Sequence, residues 1–207
     1  MSYIPAWLIL ALLCLCFVGG VAALIGGIFF FINRSVQGVN RTWGDVGTRN
    51  GLTLKPAGIF AQPELNGEFR RRPMRLYTEN SGNQGNRTTW TVLGLTVNNP
   101  GNSTLEITPS GTVGNFLGKM IKAQDVVIGN PEFDKRFVVK SSPADFAIRL
   151  LADSPVQTGI MEIPGTFRIH LEGSSLKYSK TNLEEDADFL AKLFNTLSDL
   201  ADRLEAN

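Results

Sequence analysis

The chain has few of the side chains that bind metals or act as catalytic bases. Its 207 residues include one histidine, His170, and two cysteines. A structural zinc site takes about four nitrogen or sulfur ligands, and a serine hydrolase needs a histidine between its nucleophile and an acid. His170 lies between Arg168 and Glu172 on the polar face of a predicted strand, so we expect it to be an exposed structural residue. The sequence therefore favours a protein without metal, cofactor or catalytic set, and we predict that it is not an enzyme.

The glycine-rich segment over residues 111–119 lacks the pattern of a phosphate-binding loop. Such a loop has a glycine five residues before its Gly-Lys pair and a serine or threonine after it. These two positions hold Val113 and Met120. The segment therefore predicts no nucleotide site.

Three acidic residues, Asp125, Glu132 and Asp134, are close in sequence. Their spacing matches no calcium-binding loop, and the turn-forming chemistry of such side chains accounts for them. We therefore expect no metal here, although convergence of the three in one cleft would favour an enzyme.

The stretch over residues 7–32 carries no charged side chain and predicts a membrane-spanning helix. A helix of this length covers about 39 Å, which exceeds the ~30 Å of a bilayer's hydrocarbon core. Both cysteines, Cys14 and Cys16, fall inside it. Because they are two residues apart on a helix, they point away from each other and cannot form a disulfide. The rest of the chain has no cysteine, which fits a reducing compartment.

The charges that flank this stretch predict its orientation. No basic side chain precedes it, whereas Arg34 and Arg41 follow it closely. By the positive-inside rule, a single-pass protein of the inner (plasma) membrane then has its N-terminus outside and its C-terminal domain in the cytoplasm. Basic residues lie near the predicted lipid bilayer and acidic residues far along the chain, a pattern that predicts no nucleic-acid partner. No small-molecule substrate is evident.

Small residues in the uncharged stretch indicate a helix-packing surface. Gly19, Ala23 and Gly27 recur every four residues, and small side chains at this spacing let a second helix approach closely. The alternative is compositional, because membrane helices are richer in glycine than soluble ones. Helix packing predicts a membrane-protein partner or a homo-oligomer.

The composition divides the chain into three parts. Residues 1–32 are the predicted transmembrane anchor, residues 33–51 a juxtamembrane tether or short helix, and residues 52–207 a soluble α+β domain. Trp43 is expected near the inner membrane interface. In the domain, turn residues between short β-prone runs predict a mainly antiparallel sheet.

The densest basic cluster lies at a predicted hairpin of this sheet. It consists of Arg70, Arg71, Arg72 and Arg75. Near a membrane such a cluster contacts anionic lipid headgroups, with about 1 kcal/mol for each charge at the surface. The alternative is a solvated strand end.

The last predicted element is a long amphipathic helix. Thr181 and Glu184 have the spacing of a capping box, and apolar residues follow at alternating steps of four and three. A stripe of this kind either covers a sheet or forms a coiled-coil seam. Because further apolar residues widen it, we favour packing on the protein's own sheet. The stripe consists of Leu183, Ala187, Leu190, Phe194, Leu197, Ala201 and Leu204.

Three segments of the domain form a recognisable pattern. Leu-Thr-Leu begins at Leu52, Gly-Glu-Phe-Arg-Arg-Arg-Pro begins at Gly67, and residues 129–141 read GNPEFDKRFVVKS. A strand pair and an acidic C-terminal helix follow. Over residues 42–205 this resembles a group of uncharacterised prokaryotic proteins with one or two N-terminal membrane helices and a cytoplasmic α+β domain. The resemblance implies this architecture and a prokaryotic source, and it implies no activity and no functional residue.

These observations favour a non-catalytic accessory or assembly subunit of a membrane protein complex, which acts through its soluble α+β domain. The alternative is a membrane-anchored sensor or ligand-binding domain. A deep apolar pocket with convergent polar groups would favour that alternative.

Overall fold

The N-terminal helix, α1, runs without a break over Ala6–Asn50. A computed structural model of the chain describes residues 6–58, 61–82, 87–111, 124–152 and 154–206, and within α1 the side chains of residues 16, 17, 19–28, 30, 34 and 36–50. Helix α1 ends where Gly51 adopts a φ of 70°. This left-handed conformation costs glycine little and closes the C-terminus of many helices.

Nine strands in the described ranges form one antiparallel sheet. Their spatial order is β1-β2-β3-β4-β9-β8-β5-β7-β6, so the predicted mainly antiparallel domain is confirmed. In chain order the strands are β1 (Thr53–Lys55), β2 (Glu64–Phe69), β3 (Arg72–Ser81), β4 (Thr88–Thr96), β5 (Thr104–Pro109), β6 (Gln124–Asp125), β7 (Phe137–Ser142), β8 (Phe167–Glu172) and β9 (Ser175–Thr181).

Helices cover one face of the sheet. Besides the end of α1 they are α2 (Pro131–Arg136), α3 (Ala144–Leu150), α4 (Ser154–Met161) and α5 (Ala187–Ala206). The predicted apolar stripe of α5 is buried from Leu190 to Leu204. The ring of Phe194 on α5 meets that of Phe69 on β2 edge to face, with 5.9 Å between centroids. The interpretation of α5 as a helix that packs on its own sheet is therefore confirmed.

The core lies between these helices and one row of side chains that crosses the sheet. Members of the row are cross-strand neighbours on seven strands, and all are buried. Side chains of a strand alternate between its faces. The opposite face carries polar and charged residues such as Asn66, His170 and Glu106. The core row consists of Leu65, Leu76, Leu93, Tyr178, Ile169, Ile107 and Val139.

Helix α5 begins at Ala187. The prediction that Thr181 and Glu184 form its capping box is therefore wrong. The side chain of Asp186 accepts hydrogen bonds from the backbone N–H groups of Asp188 and Phe189, both at 3.0 Å, and so caps the helix. Thr181 belongs to β9. The residues between β9 and Asp186 connect the sheet to the helical layer, so the helix does not begin at Thr181.

Two expectations for residues 33–51 have different outcomes. The segment is helical, as one of the two predicted forms had it, but it is the continuation of α1. Trp43 does not lie at a membrane interface, because its side chain is fully buried in the core. Val39, Trp43 and Val46 lie three or four residues apart, and this spacing gives α1 an apolar face for the domain.

Within the described residues, no helix is both long and apolar enough to cross a membrane. The predicted span over residues 7–32 includes side chains that lie outside the described set, and it stays a prediction. Residues 112–119 of the glycine-rich segment also lie outside the described residues.

Candidate functional site

The C-terminal part of helix α1 is fixed to the domain. Val39, Trp43 and Val46 are buried, and Trp43 Nε1 donates a hydrogen bond to the backbone oxygen of Glu184 at 2.8 Å. Close approach to β2 requires Gly47, because a Cβ there would lie 2.8 Å from a side-chain carbon of that strand. Apolar burial and a neutral hydrogen bond therefore hold this part of the helix.

The preceding part of α1, residues 16–30, exposes large apolar side chains. Phe17 is 73% exposed and Leu24 is 70% exposed. A contiguous apolar surface of this kind is unfavourable in water and marks a surface that a membrane or a partner covers. The other exposed members are Val21, Ile25, Ile28 and Phe30.

The predicted helix-packing residues lie on this exposed part. Gly19 and Ala23 are exposed, and Gly27 is half-buried. A Cβ added at Gly19 or Gly27 would meet no described atom within 4 Å. The fold of this chain therefore does not require glycine there, and packing against a second helix stays a prediction.

A pocket lies where the exposed part of α1 meets the domain, and we name it the base pocket. Its volume is about 520 Å³. The side chain of Asn40 on α1 accepts a hydrogen bond from the N–H of Ala57 at 2.6 Å and donates one to its carbonyl at 3.0 Å. This pair of bonds holds the segment before β2 against α1 as one wall. The apolar lining consists of Val36, Val39, Ala57, Ala61, Pro63 and Leu183.

The polar lining of the base pocket includes hydrogen-bond donors and no acidic side chain among the described residues. Asn80 Oδ1 accepts from the hydroxyl of Thr89 at 2.8 Å, and Gln62 Oε1 accepts from the hydroxyl of Thr78 at 2.9 Å. Each amide therefore keeps its NH₂ group as a donor. The guanidinium of Arg87 completes the polar lining. It is exposed and has no ion pair with a described residue, and no acidic residue is among the described residues of the lining.

The basic turn between β2 and β3 is bound by the acidic face of α5, and we name this contact the clasp. Arg70 lies 2.5 Å from Asp199, measured from Nη1 to Oδ1. Arg72 pairs with Asp202 at 2.7 Å and with Glu205 at 2.6 Å. Two guanidinium groups thus meet three carboxylates. The clasp joins the hairpin to the last two turns of the chain's final helix.

Protonation equilibria follow from these ion pairs. The hydrogen bond from Arg72, helped by the backbone N–H of Asn98, holds the pKa of Glu205 below its usual range. In turn, Glu205 raises the pKa of Arg72. Glu64 shows a shift in the same direction, because Arg75 lies 2.6 Å away and lowers its pKa. Glu205 and Glu64 are therefore ionised at neutral pH.

Three of the four arginines predicted to contact lipid are thus paired inside the domain. Arg70 and Arg72 belong to the clasp, and Arg75 pairs with Glu64. Among the described residues, Arg71 makes no ion pair. The pairs give these guanidinium groups a structural role, and their contact with headgroups stays a prediction.

His170 is less exposed than expected. Its side chain is 17% exposed, because neighbouring strands flank β8 on both sides. Burial, followed by the nearby charge of Arg168, lowers the pKa of His170. Arg168 itself forms a buried ion pair with Glu106 at 2.8 Å. The imidazole is therefore neutral at pH 7 beside a structural ion pair.

Two of the three acidic residues of the 125–134 segment have partners in the turn and the sheet. Asp134 accepts hydrogen bonds from the N–H groups of Ile128 and Gly129, both at 2.9 Å, which is the expected turn chemistry. Asp125 lies 3.9 Å from the ammonium of Lys140. In the part of the chain that is described, no three His, Cys, Asp or Glu side chains are placed to hold a metal ion. The expectation that the chain is not an enzyme stays a prediction.

Sequence reasoning missed the base pocket. Its walls come from five separate segments, and pockets of that kind have no local sequence motif. One signal was present: Val36 and Val39 extend the apolar spacing of Trp43 and Val46 toward the N-terminus. Arg87 carries no such signal.

Comparison with known proteins supports the fold. No protein-family model matches the chain, and no curated protein matches it either. A solved structure that is similar is the crystal structure of the mycobacterial trehalose monomycolate transport factor A, TtfA. The TM-score is 0.52 and the sequence identity 16%, and the match covers 81% of this chain and 95% of that chain. At this identity the likeness shows a shared fold. The resemblance to uncharacterised prokaryotic proteins stays a prediction.

Proposed function

We propose that this protein is a non-catalytic accessory subunit of a membrane protein complex. A single helix carries the proposal: α1 is buried in the domain at one end and exposes apolar side chains at the other. A continuous helix transmits position without a flexible joint. A partner bound to the exposed part would thus set the position of the whole α+β domain.

The membrane is the environment that best suits the exposed part of α1. Residues 7–32 contain no charged side chain, and exposed members such as Leu24 and Phe30 favour lipid over water. We propose a single pass through the inner membrane with the domain in the cytoplasm. The proposal of an anchor is supported by the sequence and by the exposed apolar side chains. The described residues contain no helix that is both long and apolar enough to span a membrane.

The structural neighbour is compatible with a role in transport. That protein is a trehalose monomycolate transport factor. A shared fold does not fix a shared role. We therefore propose a membrane protein, or a second copy of this chain, as the partner.

Recovery of the complex from native membranes tests this proposal. The full chain is captured in mild detergent, and proteins recovered in constant ratio are identified. Gly19→Leu and Gly27→Leu are expected to lower partner recovery about tenfold, because a large side chain separates two closely packed helices. A Cβ at either position would meet no described atom within 4 Å. Ile25→Leu, on the opposite face of α1, serves as control.

Two results would contradict the proposal. One is a full chain that remains a lone monomer in mild detergent. The other is equal partner recovery by the glycine variants and by the control, which would exclude the small-residue strip as the contact surface. Extraction of the chain from membranes by alkaline carbonate would separately contradict the anchor.

A ligand-binding domain is the second candidate function. The observation that favours it is the base pocket, whose lining combines apolar residues with the polar side chains of Gln62, Asn80 and Arg87. Such a combination is typical of small-molecule sites. The two functions are compatible, because the pocket and the small-residue strip lie on different sides of α1.

A further inference from the structure

We propose that the base pocket binds the headgroup of an anionic phospholipid, whose acyl chains lie along the exposed part of α1. The inference rests on the membrane attachment in the proposed function, and it adds a ligand and a site. It does not require a protein partner.

The position of the pocket on α1 supports a lipid. Val36 lines the pocket, and Ile25 lies eleven residues earlier, three turns along the same face of the helix. At 1.5 Å per residue the separation is about 16 Å, which an acyl chain spans. Ile25 is exposed. A ligand with its polar end in the pocket therefore meets an apolar surface in the direction of the predicted membrane.

The helix also separates this lipid path from the predicted partner surface. Gly27 is nine residues before Val36, so at about 100° per residue the two lie on opposite sides of α1. A lipid along the pocket side and a second helix on the glycine side would not compete. The two proposals can therefore be tested independently.

The charges in the pocket select an anion. Arg87, Asn80 and Gln62, whose side chains carry N–H donors, line the pocket, and no acidic residue is found among its described lining. Arginine matches the oxygens of a phosphodiester with parallel N–H donors. The volume of about 520 Å³ is within the range of small-molecule sites and accepts a glycerophosphate group.

The clasp holds more arginines than the base pocket, but it is less suited to bind an anion. A cavity of about 800 Å³ lies beside Arg70, Arg71 and Arg72, but Asp202 and Glu205 also line it. An anion there would have to displace carboxylates from their arginine partners. At the base pocket it would meet a cation that has no carboxylate partner among the described residues.

The test uses the full chain in a mild non-ionic detergent. Phosphatidylglycerol or phosphatidylcholine is added, and bound lipid is counted by native mass spectrometry. We expect one phosphatidylglycerol per chain and at least tenfold weaker binding of phosphatidylcholine. Arg87→Gln is expected to weaken phosphatidylglycerol binding about tenfold, the usual effect of losing a charge-assisted hydrogen bond. Ala61→Phe, which fills the pocket without changing charge, is expected to act in the same direction.

Arg71→Gln is the matched control, because it removes the same charge at the clasp end. Equal weakening by Arg71→Gln and Arg87→Gln would overturn the site in favour of diffuse charge attraction. Unchanged binding by Arg87→Gln and Ala61→Phe would overturn it as well. Displacement of the lipid by equimolar free glycerol 3-phosphate would show that the pocket takes a soluble phosphate ester, and would overturn the lipid assignment.

The outcome is separable from that of the proposed function. Loss of partner recovery with lipid binding intact would contradict only the accessory-subunit role. Loss of Arg87-dependent binding with partner recovery intact would contradict only this inference.

Discussion

Two arginine-containing regions of this protein, the clasp and the base pocket, lie at opposite ends of β3. Arg72 begins the strand and Asn80 lies near its end, a separation of roughly 26 Å at 3.3 Å per residue. At the clasp, Arg70 and Arg72 are paired with carboxylates of α5. At the base pocket, Arg87 lines a cavity without a described acidic neighbour.

The comparison shows that the density of arginines along a sequence does not reveal which of them is accessible to a ligand. Arg72 retains only 12% of its side-chain exposure, and its charge is balanced. Arg87 is isolated in sequence and exposed. The availability of a charge depends on its three-dimensional partners, so the sparse region is the better candidate for binding an anion.

The two ends also differ in the forces that hold them. Ion pairs join the clasp to α5, whereas the base of the domain is held by the buried ring of Trp43 and by the neutral hydrogen bonds of Asn40. Salt weakens interactions between exposed charges and leaves apolar burial largely unchanged. The two ends should therefore respond differently to ionic strength.

The largest effect is expected at the base end. Trp43→Ala should lower the free energy of unfolding by about 3–5 kcal/mol, because it leaves a cavity in the core and removes a buried hydrogen bond. The loss should be the same in low and high salt. Urea unfolding of the full chain in detergent, followed by far-ultraviolet circular dichroism, measures it.

Trp43→Phe separates the ring from its donor. It keeps most of the apolar volume and leaves the carbonyl of Glu184 without the indole N–H, so a loss of about 1 kcal/mol is expected. If Trp43→Ala cost no more than the phenylalanine variant, burial of the ring would not be what fixes α1 to the domain.

A smaller, salt-dependent effect is expected at the clasp. Arg72→Gln should lower the free energy of unfolding by about 1–2 kcal/mol in low salt, because Arg72 is largely buried and binds two carboxylates. The difference from the native chain should shrink by at least half in about 1 M salt, where the screening length is about 3 Å. Paired unfolding curves at the two salt concentrations measure it.

Arg71→Gln is the control at the same turn, and a change within about 0.5 kcal/mol is expected because Arg71 makes no ion pair with a described residue. An equal loss in both variants would mean that the net charge of the turn matters and that the specific pairs of the clasp do not.

Local patterns in the sequence predicted much of the fold. Alternation of apolar and polar residues placed Ile169 in the core row and His170 on the polar face, because the period of a strand fixes the side on which each residue lies. The stripe from Leu190 to Leu204 likewise predicted the buried face of α5. Both predictions depend only on the spacing of residues that are close in sequence.

Features that depend on distant neighbours could not be predicted in this way. Trp43 was placed at a membrane interface because its indole suits that environment, yet its partner is the carbonyl of Glu184, 141 residues away. The exposure of His170 was overestimated because β5, which flanks β8 on one side, comes from a distant part of the chain. The acidic residues that pair with Arg72 lie on α5, far along the chain. The spacing of nearby residues therefore could not predict these pairs.

The smallest predicted effect concerns the pH dependence of the clasp. Arg72 holds the pKa of Glu205 below its ordinary value of 4.5. A carboxyl with a lowered folded-state pKa stabilises the fold above its unfolded-state pKa, and this contribution is lost as the pH falls through the folded-state pKa. Glu205→Gln should therefore cost at most about 1 kcal/mol at pH 7, and nothing once the pH lies below both pKa values.

The pH profile distinguishes this charge effect from a packing effect. Unfolding free energies of the native chain and of Glu205→Gln should differ near pH 7 and converge on acidification below pH 4.5. Glu64→Gln should show the same convergence with a smaller difference, because its partner Arg75 is far more exposed than Arg72. A difference for Glu205→Gln that persisted in acid would mean that the side chain acts through packing or neutral hydrogen bonds and not through its charge. The clasp would then be held by the same kind of force as the base of the domain.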